Sequence, residues 1–217
     1  MAEHLGRRER KKQQMREHIA ETARRLFGER GFEGVTVAEV AREADVAEQT
    51  VYNYFPTKED LVYWRLESFE ERLLEAVRDR EPGESIPSAF GRWILAQRGL
   101  LAEAPLSPEL IALTRMIVES PALRGREQQI FARFTDSLAE LIAAETGARP
   151  GDIRPWVTAN ALLGVHRALI GYARERILAG GESAEISRDV RAQAEDALVA
   201  LEGGAGADRT SGASRRR

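Results

Sequence analysis

Cysteine is absent from the 217 residues. That excludes a disulfide framework, a thiolate metal site, a thiol nucleophile and a redox switch. Histidine is scarce: His4, His18 and His166 stand far apart, and neither HExxH, GxSxG nor a glycine-rich phosphate loop after a strand is present. No catalytic constellation is expected, and no metal site or cofactor. No apolar run approaches the roughly 18 residues that spanning a bilayer demands, and Met1 to Met15 is polar where a signal peptide is apolar. A cytoplasmic protein without a membrane segment is expected. Sustained period-two alternation is missing too, so strands are not expected. What is present is 43% hydrophobic and 31% charged, with a net charge of -3. This is the composition of a globular chain long enough to bury a sizeable core.

The charge is unevenly spread. Between Met1 and Arg30 stand Arg7, Arg8, Arg10, Lys11, Lys12, Arg16, Arg24, Arg25 and Arg30 against five glutamates, an excess of four positive charges. Such a segment suits phosphates, although a solvated helix face or a frayed arm has the same composition. The acidic runs, Glu70-Glu71 and Glu182 to Glu185, read as solvated faces rather than acid–base pairs.

Helical periodicity dominates and predicts an all-α chain of nine helices. Ile19, Thr22, Ala23, Leu26 and Phe27 form one stripe, ended with the help of Gly28 and Gly31. Thr36 can cap a short second helix that turns Val37, Val40 and Ala41 inward. A third runs from about Ala47 to Tyr54 and stops at Pro56, and Thr57 caps a long fourth through Leu61, Trp64, Leu66, Phe69, Leu73 and Val77. Ile86 to Glu103 reads as the fifth, Ser107-Pro108-Glu109 starts the sixth, and Pro121 opens the seventh, which continues to Gly147. Ile153 to Ala179 is the eighth, closed by Gly180-Gly181, and Ser183 starts the ninth. Gly203 to Arg217 has nothing apolar to bury and reads as a disordered tail.

Three short helices joined by tight turns suggest a helix-turn-helix. Val37, Val40, Ala41, Val46, Val51 and Phe55 supply a small core, which leaves Glu48, Gln49, Thr50, Tyr52, Asn53 and Tyr54 outward on the third helix. Those groups can hydrogen-bond base edges or phosphates from a major groove. The run Thr36-Val37-Ala38-Glu39-Val40-Ala41-Arg42-Glu43-Ala44-Asp45-Val46, followed by Thr50-Val51-Tyr52-Asn53-Tyr54-Phe55-Pro56-Thr57-Lys58-Glu59-Asp60-Leu61, resembles the DNA-binding domain of the TetR family of transcriptional regulators. Asp45 stands where the family commonly has glycine, and aspartate takes a left-handed backbone more readily than most residues. Asn53-Tyr54 replaces the commoner tyrosine or arginine followed by histidine.

The resemblance implies a helix-turn-helix domain over 1–56 and a helical ligand-binding and dimerisation domain over 57–202, with 203–217 as the tail. It implies a homodimeric regulator, usually a repressor, released from a palindromic double-stranded operator by a small-molecule inducer. Carried onto this sequence, Thr36 contacts a phosphate at the start of the second helix, Thr50 and Tyr52 lie on the operator side, and Tyr54 and Lys58 clamp the DNA backbone. Gln49 and Asn53 are the base-reading candidates, because their amides can pair with adenine. Glu48 and Gln49 also fit as plain solvated residues.

Two further features concern the second half. Ala161, Gly164, Ala168 and Gly171 on the eighth helix, and Ile186, Val190, Ala194, Ala197 and Leu201 on the ninth, recur at three- and four-residue spacing. They suit intramolecular packing or a dimer through the last two helices. Trp93, Arg115, Phe134, Trp156, Asn160, His166 and Arg167 are the ligand-binding candidates, a mixture suited to an apolar cavity with a few polar contacts. His166 and Arg167 interrupt an apolar stretch, where a salt bridge or an interface hydrogen bond serves as well as a ligand. The rival classes are an all-helical enzyme acting on a small molecule and a DNA-binding interaction protein without sequence preference.

Overall fold

The stripe through Ile19, Ala23, Leu26 and Phe27 builds helix α1 (Arg7–Arg30) in a computed structural model that describes residues 6–96 and 106–206. Gly31, at φ 74°, directs its N–H to the Phe27 carbonyl and ends α1. Then follow α2 (Val37–Glu43), α3 (Glu48–Tyr54), α4 (Asp60–Tyr63), α5 (Leu66–Arg78), α6 (Ile86–Ala96), α7 (Pro108–Glu119), α8 (Pro121–Thr146), α9 (Arg154–Leu178) and α10 (Ser183–Gly206). The described residues contain helices and no strand, an all-α architecture.

Among the described residues ten helices stand where nine are expected, because the expected fourth helix is two. A turn at Trp64-Arg65 separates α4 from α5. No glycine or proline marks the place; the division follows from packing, since α4 is tied to a distant segment described below. The expected fifth helix is present as α6 up to Ala96, and its remainder to Glu103 lies outside the described residues. Helix α10 extends to Gly206, since each residue added to an existing helix gains a hydrogen bond without a new nucleus. The rest of the expected tail lies outside the described residues.

The chain forms two compact units. One comprises the residues up to Glu67 together with Arg115–Gln128, and the other comprises Ser68–Thr114 and the residues from Gln129 onward.

In the first unit Ile19, Ala20, Ala23, Val40 and Val51 are completely buried. Thr36 caps α2 through a reciprocal box: its hydroxyl accepts from the Glu39 N–H at 3.2 Å, and the Glu39 carboxylate accepts from the Thr36 N–H at 2.8 Å. The turn into α3 closes with the Val46 N–H donating to the Ala41 carbonyl at 3.0 Å, and Asp45 takes φ 53°. His18 Nε2 donates to the Ala44 carbonyl at 3.1 Å, fixing α1 to that turn. Thr57 and Asp60 form a second box before α4. The other Asp60 oxygen accepts from Arg126 Nε at 2.8 Å, the Tyr63 hydroxyl donates to the Leu123 carbonyl at 3.0 Å, and the Ser120 hydroxyl donates to Glu33 at 3.2 Å. These bonds fasten Arg115–Gln128 to the first unit.

In the second unit α10 packs on α9 and α6. A Cβ on Gly91 of α6 would lie 2.8 Å from Leu198 of α10, so glycine permits that close approach. Leu73, Val77, Phe90, Phe134, Leu138, Leu162 and Ile186 are buried in the same unit, and Arg80 pairs with Glu145 at 2.7 Å.

Two substitutions in the first unit have opposite expected effects. A Cβ on Gly34 would stand 2.4 Å from the backbone carbonyl oxygen of Arg30. Gly34→Ala is therefore expected to lower the unfolding free energy by roughly 1–3 kcal/mol. Asp45→Gly removes a side chain from a left-handed position and should leave stability unchanged or raise it by about 1 kcal/mol. Denaturant unfolding of the full chain measures both, and equal midpoints for Gly34→Ala and the parent would show that the α1–α2 connection yields without cost.

Candidate nucleic-acid interface

Helix α3 is seven residues long, too short to persist alone. It is held by Val51, completely buried, and by Phe55 at its C-terminal cap, 1% exposed. With that side anchored, Gln49, Tyr52 and Asn53 are exposed, and Thr50 and Tyr54 are half-buried. Gln49 Nε2 donates to Asn53 Oδ1 at 3.3 Å, so the two amides stand together one turn apart. The helix thus presents donors and acceptors of the kind that read base edges, with a tyrosine beside them.

The flanks of this face are charged in defined ways. The Thr36 hydroxyl donates its proton to the Glu39 carboxylate at 2.9 Å, and Arg30 binds the same carboxylate at 2.6 Å. Arg30, then the Thr36 backbone and hydroxyl, hold the Glu39 carboxyl down to about 2, so a negative charge occupies the start of α2. A phosphate oxygen approaching Thr36 must compete with it for the hydroxyl proton. Lys58, half-buried, holds its ammonium 4.1 Å from the Phe32 ring centroid and 5.9 Å from that of Phe27. These rings orient the cation at the end of α1 through cation–π attraction.

The other candidate residues fall into separate places. Trp93, Phe134 and His166 meet in the second unit around Phe69, which sequence reading placed only on the apolar stripe of a helix. The Phe69 ring lies 4.9 Å from Trp93, 5.7 Å from Phe134 and 4.9 Å from His166, stacked on the last two. Phe131 closes the group, 5.8 Å from His166 and edge-on. Asn160 is half-buried on α9, and Arg167 is exposed on the same helix. Trp156 is 51% exposed, beside exposed Ile153 and Val157. Arg115 is exposed and belongs to the first unit, outside this cluster. The one signal for Phe69 was its place three residues after Leu66 in an aromatic-rich helix, which does not tell a core ring from a cluster-forming one. Among the described residues no three His, Asp or Glu side chains converge as a metal site requires, and no helix is long and apolar enough to cross a membrane.

Burial among these rings pushes the His166 imidazole from its ordinary value near 6.5 down to about 4. Between those values the unfolded chain binds a proton that the folded chain does not, so folding stability from this group is complete above pH 6.5 and declines as pH falls toward 4. The full effect is roughly 3 kcal/mol. Chemical denaturation at a series of pH values should show that slope, and His166→Phe should remove it while leaving stability at pH 7 unchanged or higher. A slope that persisted in His166→Phe would assign it to another group.

Comparison with known proteins agrees with the geometry of the first unit. Residues 19–63 match the family model of the bacterial regulatory proteins of the tetR family, and residues 102–194 match that of the MftR C-terminal domain. The chain is 26% identical over 155 residues to the HTH-type transcriptional regulator TcmR of Streptomyces glaucescens, covering 69% of each. It is 24% identical over 155 residues to the regulator MftR of Mycobacterium tuberculosis, covering 71% of this chain and 76% of that one. Among solved structures it shares its fold with NalD, the secondary repressor of the MexAB-OprM multidrug efflux pump in Pseudomonas aeruginosa, with a TM-score of 0.52 and 18% identity over 87% of this chain and 96% of that one. A capped α2, a left-handed turn and an outward amide-bearing α3, all within the first of two family matches that succeed one another along the sequence, identify the chain as a member of the TetR family of transcriptional regulators, with an N-terminal DNA-binding domain.

Proposed function

We propose that the protein is a homodimeric repressor that lays α3 in the major groove of an approximately palindromic operator and leaves it when a small hydrophobic ligand binds the second unit. The observation that carries the DNA half is the face of α3, where Gln49, Tyr52 and Asn53 stand outward over the buried Val51. Gln49 and Asn53 read bases, Thr50 and Tyr52 lie on the operator side, and Thr36, Tyr54 and Lys58 bind phosphates. Such a regulator acts in the cytoplasm, where its operator is.

The dimer reading is supported by α9. Ile153, Trp156 and Val157 are 71%, 51% and 51% exposed, and Gly164 and Ala168 continue the exposed surface along the helix. A Cβ on Gly164 or Gly171 would meet nothing within 4 Å, so both positions leave room for a second backbone. An apolar patch of this kind, with Val199 also exposed on α10, suits a two-fold pairing through the last two helices. The symmetry would make the operator an inverted repeat with half-sites on successive turns of the duplex.

The ligand reading is supported by the Phe69, Trp93, Phe131, Phe134 and His166 cluster, which offers aromatic faces and one uncharged imidazole. A ligand that prefers one arrangement of the dimer shifts the population by its differential affinity. Asn160 lies on the same helix as His166, Trp156 and Arg167 are the more exposed members of the proposed set, and Arg115 belongs to the first unit and stands outside it.

Selection of duplexes from a random pool, followed by mobility shift against a scrambled competitor, tests the DNA half. Lys58→Ala and Tyr54→Ala are expected to weaken binding to every sequence, with the salt slope reduced by about 1 for the lost Lys58 charge and unchanged for the neutral tyrosine. Gln49→Ala should relax preference at particular bases by about 1–3 kcal/mol. An unchanged affinity and salt slope in Lys58→Ala would overturn the assigned docking, and a monomer that binds the operator as tightly as the parent would overturn the dimer.

A further inference from the structure

The first turns of α1 carry Arg7, Arg8, Arg10, Lys11 and Lys12, all exposed. Later arginines of the helix are matched by acids: Arg24 pairs with Glu21, Arg25 with Glu29 and Glu43, and Arg30 with Glu39. Among the described residues the five leading cations have no such match.

Their arrangement is unfavourable in the isolated protein. Arg7 and Lys11, and Arg8 and Lys12, are like charges four residues apart, while Arg7 and Arg10, and Arg8 and Lys11, are three apart. These spacings make neighbours on a helix surface, and like charges there repel. The group also stands at the N-terminal end, where the unpaired amides concentrate positive charge. The one acid of the first turn, Glu9, is turned to the Gly6 N–H at 3.3 Å. A polyanion relieves all of these repulsions together.

The position of the cations indicates which polyanion. Arg8, Lys12 and Arg16 succeed one another at four-residue spacing, forming one row along α1. Arg16 marks its inner end, with the guanidinium carbon 5.5 Å from the ring centroid of Phe55, the residue that closes α3. At 1.5 Å of rise per residue, Lys12 and Arg8 lie about 6 Å and about 12 Å farther along the helix. The row therefore begins beside the C-terminal end of the base-reading helix and runs outward from it, within the same compact unit.

We propose that this row is a second DNA-contact surface, binding phosphates of the duplex that flanks each half-site while α3 occupies the major groove. The proposal rests on the DNA-binding reading above. An anionic bilayer or an acidic protein would meet the same charge, but neither would account for its continuity with α3.

The test uses the full chain and two duplexes that contain the same pool-selected site, one trimmed to the inverted repeat and one with about one helical turn of extra sequence on each side. Fluorescence anisotropy should show the parent binding the longer duplex at least several-fold more tightly. R8A/K12A should lose that advantage and reduce the salt slope by about 0.9 for each phosphate contact removed, and R8K/K12R should retain both. If R8A/K12A kept the flank preference and the slope while Gln49→Ala still altered base preference, the row would be idle and the reading of α3 would stand. Absence of any duplex binding by the parent would overturn both. Binding to phosphatidylglycerol vesicles that R8A/K12A abolished, with duplex binding unchanged, would assign the row to a membrane instead. In the DNA-free protein R8A/K12A should keep or raise the thermal midpoint, and a lower midpoint would overturn the claim that these charges repel.

Discussion

Val51 and Phe55 carry the structural burden of the DNA-binding face. Burial of side chains of this size is worth roughly 1.5–3 kcal/mol each, and a seven-residue helix has little helical stability of its own. The conformation of α3 is thus a consequence of docking rather than of propensity. Because both anchors point one way, the remaining positions are released from packing and can carry polar groups chosen for recognition. Arg16 covers the Phe55 ring from α1, which links the anchor of α3 to the charged end of that helix.

The local features of the first unit were legible in the sequence because each rests on residues close in the chain. The Thr36 cap, the left-handed Asp45 and the stop at Pro56 are short-range steric and hydrogen-bonding requirements, and the structure bears them out. The division between α4 and α5 was not legible. Periodicity runs unbroken through Leu61, Trp64 and Leu66, and the turn depends on bonds to residues some sixty positions away, Tyr63 to Leu123 and Asp60 to Arg126. The same holds for the aromatic cluster. Trp93, Phe134 and His166 were visible as individual residues of suitable chemistry, but Phe69, the ring that joins them, belongs to a different helix and announces nothing by its spacing.

Ion pairs lie at the surface in both units, as between Arg25 and Glu43 in the first and Arg92 and Glu84 in the second, where water weakens them and they set orientation more than stability. In the second, a titratable ring is enclosed by phenylalanines and kept neutral. A neutral imidazole retains one donor and one acceptor nitrogen, so the cluster combines apolar faces with directional hydrogen bonding without holding a buried charge.

Asp60 divides its two carboxylate oxygens between distant obligations. One completes the Thr57 box and the other receives Arg126. Asparagine would keep one acceptor oxygen and bring a donor amide against an arginine, and glutamate would move the group by a methylene. In evolutionary terms Thr57, Asp60 and Arg126 therefore behave as a single inherited character. The start of α4 and the position of Arg126 on α8 cannot drift independently while one carboxylate serves both, so divergence at either place requires compensation at a residue sixty-six positions along the chain.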